Sequence, residues 1–398
     1  MSSHSTKKIN TTTAIIIGMN AMIGAGIFSL TCALASHVGP AGIITYLFSF
    51  LAIWFMANSL ARVAYLYPQE GSFYIYAKQY GGHSWGLFVA GSYISGMLMA
   101  MGLLCKFSGI YLHQSFPQMS AYLLGLITLF VLTIANLLGL VLSQWGQYLL
   151  IICTVFPLLT TTALCLSKIN FANLSPFIPY GPLSIITTTK IAVFGFFGFE
   201  CTTSLFNILE NPEKNISKAV TGSLLAVGII YFLFILSMIL SIPMTVFQSN
   251  ENITITDALR TIFPHNTFIL HCINFSIISA IIGTIHSMIW ASSELLLSYV
   301  KFLNITTNRF ISHRAIVIFI FFIILLAYIV IENYEIFFSL IAVLVIFSII
   351  ASIVPLLLLK NEWKSGKNIY TIIGLLLGLV IFSVAVETLV KNVIKIIS

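Results

Sequence analysis

The chain is 398 residues long, 59% hydrophobic and 7% charged, with a mean hydropathy of +1.04. This excludes a soluble domain, in which about a quarter of residues are charged, and an outer-membrane barrel, whose alternating strands of about ten residues do not match apolar runs of helical length. The net charge of +7 is scattered over connecting loops, which excludes a nucleic-acid footprint, and the six cysteines fall in apolar runs without CxxC or His-rich spacing, which argues against a disulfide framework or a zinc site.

Taken in order, the apolar runs predict about eleven membrane-spanning helices, at 12–36, 41–61, 85–112, 119–141, 147–166, 184–208, 219–242, 268–299, 315–331, 335–359 and 369–389. Lys7 and Lys8 precede a run too long for the core of a cleavable signal, so helix one is expected to remain in the membrane. Within it, Ile23-Gly24-Ala25-Gly26-Ile27-Phe28 places two glycines at mid-membrane. Glycine there weakens the helix and bares N–H and C=O groups that lipid cannot satisfy, so such backbone persists beside a cavity, a ligand or an ion. Close helix packing through small residues is the other reading of a lone Gly-x-Gly.

His37-Val38-Gly39-Pro40 makes a turn to helix two, after which comes Tyr67-Pro68-Gln69-Glu70-Gly71-Ser72-Phe73-Tyr74-Ile75-Tyr76-Ala77, aromatic enough to predict an interfacial helix at the cytoplasmic mouth. Helix six carries a second glycine break, Gly195-Phe196-Phe197-Gly198-Phe199-Glu200. Between helices six and seven, Pro212 is expected to end one helix and Ser217 to cap the next, and Asp257-Ala258-Leu259-Arg260 is expected to form a small helix over the outer face.

Two broken helices in corresponding positions point to a transporter binding site. Helices one to five and six to ten form two groups, each opening with a broken helix. With the N-terminus cytoplasmic, Lys7, Lys8, Arg62, Lys78, Lys214, Lys218, Lys301, Arg309, Arg314, Lys360, Lys364 and Lys367 lie inside, twelve of the eighteen Lys and Arg. Lys168, Lys190, Arg260, Lys391 and Lys395 lie outside, and Lys106 lies within helix three. The bias favours this orientation, puts the C-terminus outside, and gives the two groups opposite sense.

Three of these patterns together, Ile23 to Phe28, Tyr67 to Tyr74, and Gly198-Phe199-Glu200 followed by Asn211-Pro212 through Asn215-Ile216-Ser217-Lys218-Ala219, resemble the amino acid–polyamine–organocation (APC) superfamily of amino acid permeases over roughly residues 12 to 360. The resemblance implies an all-α membrane protein of the leucine-transporter type, with an inverted five-plus-five helix repeat and one extra C-terminal helix. It divides the chain into a cytoplasmic tail (1–11), a first repeat (12–166), a second repeat (167–359) and a C-terminal helix with its tail (360–398). It implies a multi-pass protein of the bacterial inner membrane that moves a small amino acid or amine.

The chain also departs from that pattern. Arg62 stands near the end of helix two where such permeases often carry an acid, Thr154 stands where a proton-coupling subset has lysine, and Glu294 takes the usual basic position on helix eight. No twelfth helix is evident. Substrate and coupling ion therefore do not carry over.

For an amino acid zwitterion, the N–H groups around Ala25, Gly26 and Ile27 open the second half of helix one and are expected to meet the α-carboxylate at the positive end of a half-helix dipole. Carbonyls around Met22 and Ile23, and from Phe194 through Phe196 and Phe197, are expected to take the α-ammonium. Phe194 matches the family's aromatic gate position, and Tyr93 is expected to bring a hydroxyl to the pocket. Glu200, a carboxylate at helix centre, should face the bundle, as a proton-sensing group or as a hydrogen-bonded structural acid. Lys106 is expected to reach outward, Glu294 to lie near the cytoplasmic end, and His286 to play a hydrogen-bonded packing role.

The sequence contains no catalytic or metal motif and no GxxxxGK[ST] phosphate loop, so neither an enzyme nor a cofactor is expected. The leading function is secondary transport by alternating access, with proton coupling open. An ion-independent exchanger (antiporter) and a transport-inactive amino acid-sensing homologue are the alternatives, and the costly paired breaks argue against the last. Oligomeric state is left open.

Overall fold

The computed structural model describes residues 8–67, 72–139, 144–248, 253–302, 312–359 and 366–397. Among them the regular structure is helical, with one isolated bridge between Ile9 and Leu209. Lys7, Arg309, Lys360, Lys364 and the Pro68-Gln69-Glu70-Gly71 stretch lie outside the described residues.

Helix one is split into Thr11–Met22 and Ala25–His37. Helices two to five are Gly42–Leu66, Ser72–Ser115, Ala121–Leu137 and Gln144–Leu166. Helix six is assembled from Leu183–Thr187, Thr189–Ala192 and the 3-10 segments Val193–Phe196 and Phe199–Ile208. Helices seven to eleven are Pro212–Ser241, Thr267–Phe302, His313–Val330, Tyr334–Ile353 and Asn368–Ile397. Among the described residues eight helices suffice by length and composition to cross a membrane, or nine when the two halves of helix one, bent by 48°, count as one span. Ala121–Leu137, at 17 residues, falls just short, and helix six is interrupted, so the expected eleven segments are present with two below the length of an unbroken span.

The packing relates the two groups of five. Helices two, three and four lie against helices seven, eight and nine respectively. The first half of helix one contacts the second half of helix six, and its second half contacts the first half of helix six. That crossed pairing is what opposite orientation of two similar groups requires.

Two local expectations are corrected. Pro212 begins helix seven instead of ending helix six: it occupies the first turn after Asn211 (φ 45°), where its missing N–H costs nothing, and Ser217 lies inside that helix. The described part of the connector after helix two packs into the bundle instead of lying on its surface. Ser72 onward is helical up to a kink at Gly82 (φ 76°), and Phe73, Tyr74, Ile75, Tyr76 and Ala77 are all buried in the bundle. The small helix expected around Asp257 is present at Ile255–Ile262, capped by the Thr254 hydroxyl on the Asp257 N–H.

Candidate functional site at the two helix breaks

Helix one breaks because Ile23 (φ −80°, ψ 92°) and Gly24 (φ −133°, ψ −152°) are extended. The Ile23 and Gly24 N–H groups still donate to Met19 and Met22 carbonyls at 2.7 and 3.0 Å. The N–H groups of the next turn, from Ala25 to Ile27, are those a helix start leaves without an intrahelical acceptor. No side chain caps that start at Gly24.

Helix six breaks at Phe197 (φ −61°, ψ 138°) and Gly198 (φ 112°, ψ −16°). The Gly198 conformation is left-handed, and a Cβ there would strike the Ala21 carbonyl oxygen and lie 2.6 Å from its carbon, so both geometry and space demand glycine. A Cβ on Gly26 would lie 3.3 Å from the Gly195 Cα and 3.5 Å from the Phe194 ring. Each break is thus pressed against the other helix, Ala21–Met22 on Gly198 and Gly26 on Phe194–Gly195. The continuation Phe199–Ile208 is a ten-residue 3-10 segment, far longer than the few residues such geometry usually sustains.

Glu200, buried, spans the second break. Its Oε2 accepts from the Gly198 N–H at 2.9 Å, its Oε1 accepts from the Tyr93 hydroxyl at 2.9 Å, and its own carbonyl accepts from the Thr203 hydroxyl at 2.6 Å. Both carboxylate oxygens are occupied, which is how a carboxylate survives at that depth. The Tyr93 ring stacks on Phe73 of the connector, centroids 4.0 Å apart. The Tyr93 hydroxyl therefore serves Glu200 and does not stand free in a pocket.

The remaining expected residues divide. Ile23 and Ile27 are buried against the core with their backbone at the break. The Met22 carbonyl already accepts from the Gly24 N–H and from the Tyr231 hydroxyl of helix seven, each at 3.0 Å, so both its lone pairs are used. Phe194 packs edge-on against Phe338 of helix ten, centroids 5.2 Å apart, and Phe196 points the other way into Tyr46, Phe50 and Tyr231. Phe197 alone of the three rings is half-exposed.

Outside the breaks, Thr154 turns its hydroxyl back to the Ile151 carbonyl at 3.0 Å. His286 takes its packing role beside Asn136, with Asn136 Nδ2 and His286 Nδ1 3.0 Å apart, and Glu294 lies 3.4 Å from His313. Lys106 sits over the Tyr328 ring, 4.9 Å from its centroid, instead of reaching freely outward. Sequence reasoning missed Tyr231, which no local pattern distinguishes from fifteen other tyrosines. It also missed the burial of Lys190, although a lysine inside an apolar span is itself a signal.

An all-helical membrane bundle whose first and sixth helices break against each other is the architecture of a secondary transporter of leucine-transporter type. Solved structures agree on the fold: a manganese transporter of Eremococcus coleocola, crystallised with an aromatic bis-isothiourea substituted compound, aligns with a TM-score of 0.59 at 13% identity over 95% of this chain and 85% of that one. The model of the amino acid permease family matches residues 9–394, and the chain belongs to that family. Relatives include the gamma-aminobutyric acid permease of Escherichia coli, 24% identical over 303 residues that cover 71% of this chain and 63% of that protein. Another is the branched-chain amino acid permease BcaP of Bacillus subtilis, 27% identical over 236 residues, 54% of this chain and 51% of that one. The chain thus spans less than two thirds of the curated relatives it matches first.

Proposed function

We propose that this chain carries amino acids, or closely related amines, across the bacterial inner membrane by alternating access, with the N-terminus cytoplasmic and two inverted repeats, 12–166 and 167–359, moving about the breaks. What carries the reading is the contact between the breaks: Gly26 lies against Phe194 and Gly195 at the start of a half-helix whose first N–H groups have no side-chain cap. The α-carboxylate docks on the N–H groups of Ala25, Gly26 and Ile27. Because the Met22 carbonyl is filled by Tyr231 and Gly24, the α-ammonium falls to Ile23 and the carbonyls around Phe194 to Phe197. Phe194 closes over the substrate and Phe197 borders it.

Glu200 is the titratable group at the break, bound to Gly198 and Tyr93, and serves as its proton-sensing element. The satisfied hydroxyl of Thr154, where lysine would supply a coupling charge, favours a second reading, exchange without an ion. A counterflow screen of radiolabelled amino acids and amines in proteoliposomes, with and without pH and sodium gradients, separates the two. Accumulation driven by a gradient identifies coupled transport, accumulation only against a preloaded substrate identifies exchange, and no accumulation of any amino acid or amine contradicts both.

A further inference from the structure

Lys190, on the first half of helix six, is almost fully buried, its side chain 5% exposed. Its Nζ donates to Glu335 Oε1 at the start of helix ten and to the Thr388 hydroxyl of helix eleven, each at 2.7 Å. The Thr388 hydroxyl spends its own proton on the Val384 carbonyl, which leaves its lone pairs facing the ammonium. Asn392, one turn further along helix eleven, donates to the Thr388 carbonyl at 3.1 Å. One helical turn below, on the same faces, Phe194 meets Phe338. The contact between helices six and ten therefore has two tiers: an aromatic pair next to the break, and an ion pair at the rim opposite the N-terminus, where Glu335 is 44% exposed.

A lone ammonium at such depth is costly, so Lys190 keeps the first half of helix six in place only while both acceptors are present. Glu335 is already half-exposed, so a tilt of that half would have only Lys190 left to resolvate. Helix eleven is in turn fixed to the core. Gly374 lies against the backbone of Phe55 and Met56 of helix two, Gly378 against Met56 and Ile350, and Thr371 hydrogen-bonds Ser59 at 3.2 Å.

We propose that the C-terminal helix is a working part of the gate: Thr388, with Glu335, holds Lys190 and so shuts the first half of helix six against helix ten. This rests on the transport reading, since a gate requires an opening step. Thr388 is a positioning residue, acting on the substrate path only through Lys190.

The test uses the full chain in lipid nanodiscs, reachable from both sides. Ser339, buried one turn below Glu335, is replaced by cysteine as a reporter, and its modification by a charged, membrane-impermeant methanethiosulfonate is timed, with the labelling of the six native cysteines subtracted. Thr388→Val, of nearly the same shape but without the hydroxyl, is expected to raise the labelling rate by about tenfold, in line with the loss of one charge-assisted hydrogen bond. Thr388→Ser is expected to restore the parent rate. Equal labelling of the parent and a monodisperse Thr388→Val protein, or a serine variant that labels like the valine one, overturns the proposal. Labelling needs no known substrate, so a faster rate in a chain that transports no amino acid would sink the amino acid reading and leave the Thr388 contact as a latch on a helix six that moves for another purpose. An unchanged rate in a transporting chain would do the reverse.

Discussion

The two breaks differ in what holds them. In helix one the extended pair Ile23–Gly24 is kept by fit and by neutral hydrogen bonds, with the Tyr231 hydroxyl on the Met22 carbonyl and Gly24 packed against Thr284, and the N–H groups that follow meet no side-chain cap. In helix six the break is a left-handed glycine whose N–H is already bonded to a carboxylate, Glu200, itself held by Tyr93. One break begins a half-helix whose N-cap, Gly24, has no side chain to offer, and the other carries its own carboxylate. On this contrast the proposed reading assigns an incoming carboxylate to the start of the second half of helix one, and to helix six the carbonyls and a carboxyl group, Glu200.

Removing what is peculiar to helix six has the largest expected effect. Gly198→Ala puts a Cβ into the Ala21 carbonyl and forces a left-handed φ on an L-residue, so it is expected to destabilise the fold by about 3 kcal/mol or more. Thermal unfolding followed by fluorescence-detected size exclusion checks this, and a protein as stable as the parent would mean that the breaks do not touch as described.

Next in size is Glu200→Ala, which leaves the Gly198 N–H and the Tyr93 hydroxyl without their partner and is expected to weaken substrate binding by about 1–3 kcal/mol. Glu200→Gln keeps an acceptor for Gly198 but cannot ionise, so it is expected to bind with near-parent affinity and to show a flattened pH dependence of uptake. Uptake measured against pH at equal protein density distinguishes them, and an unchanged profile in Glu200→Gln would confine the residue to a structural role.

The smallest effect is expected at the Tyr231 hydroxyl that holds the helix-one break. Tyr231→Phe removes one of the two donors on the Met22 carbonyl and is expected to cost about 1 kcal/mol of stability with no change in pH profile, because a phenol does not ionise near neutral pH. A pH profile that flattened as in Glu200→Gln would erase the distinction between the breaks.

Much of this was legible in the sequence because lipid is a strict solvent. Helix number followed from apolar length, and Gly24, Gly26, Gly195 and Gly198 stood out because bared backbone in a bilayer demands a reason. Glu200 stood out for the cost of its charge. What was hidden depends on partners from distant segments: Tyr93 meeting Glu200 across 107 residues, Tyr231 meeting Met22 across 209, Lys190 meeting Thr388 across 198. The aromatic run Phe73 to Tyr76 was misplaced because aromatic composition suits a membrane interface and a packed core equally well. Pro212 was misplaced because proline both follows helices and begins them.

The proposed site at the start of the second half of helix one is tested most directly by Gly26→Leu, whose side chain would fill the space beside Phe194 and Gly195 assigned to the carboxylate. The measurement is counterflow of radiolabelled amino acids into proteoliposomes carrying equal amounts of folded parent and variant. Accumulation by the parent and none by Gly26→Leu is the expected result. Uptake by Gly26→Leu at the parent rate would contradict the assignment of the substrate to the breaks.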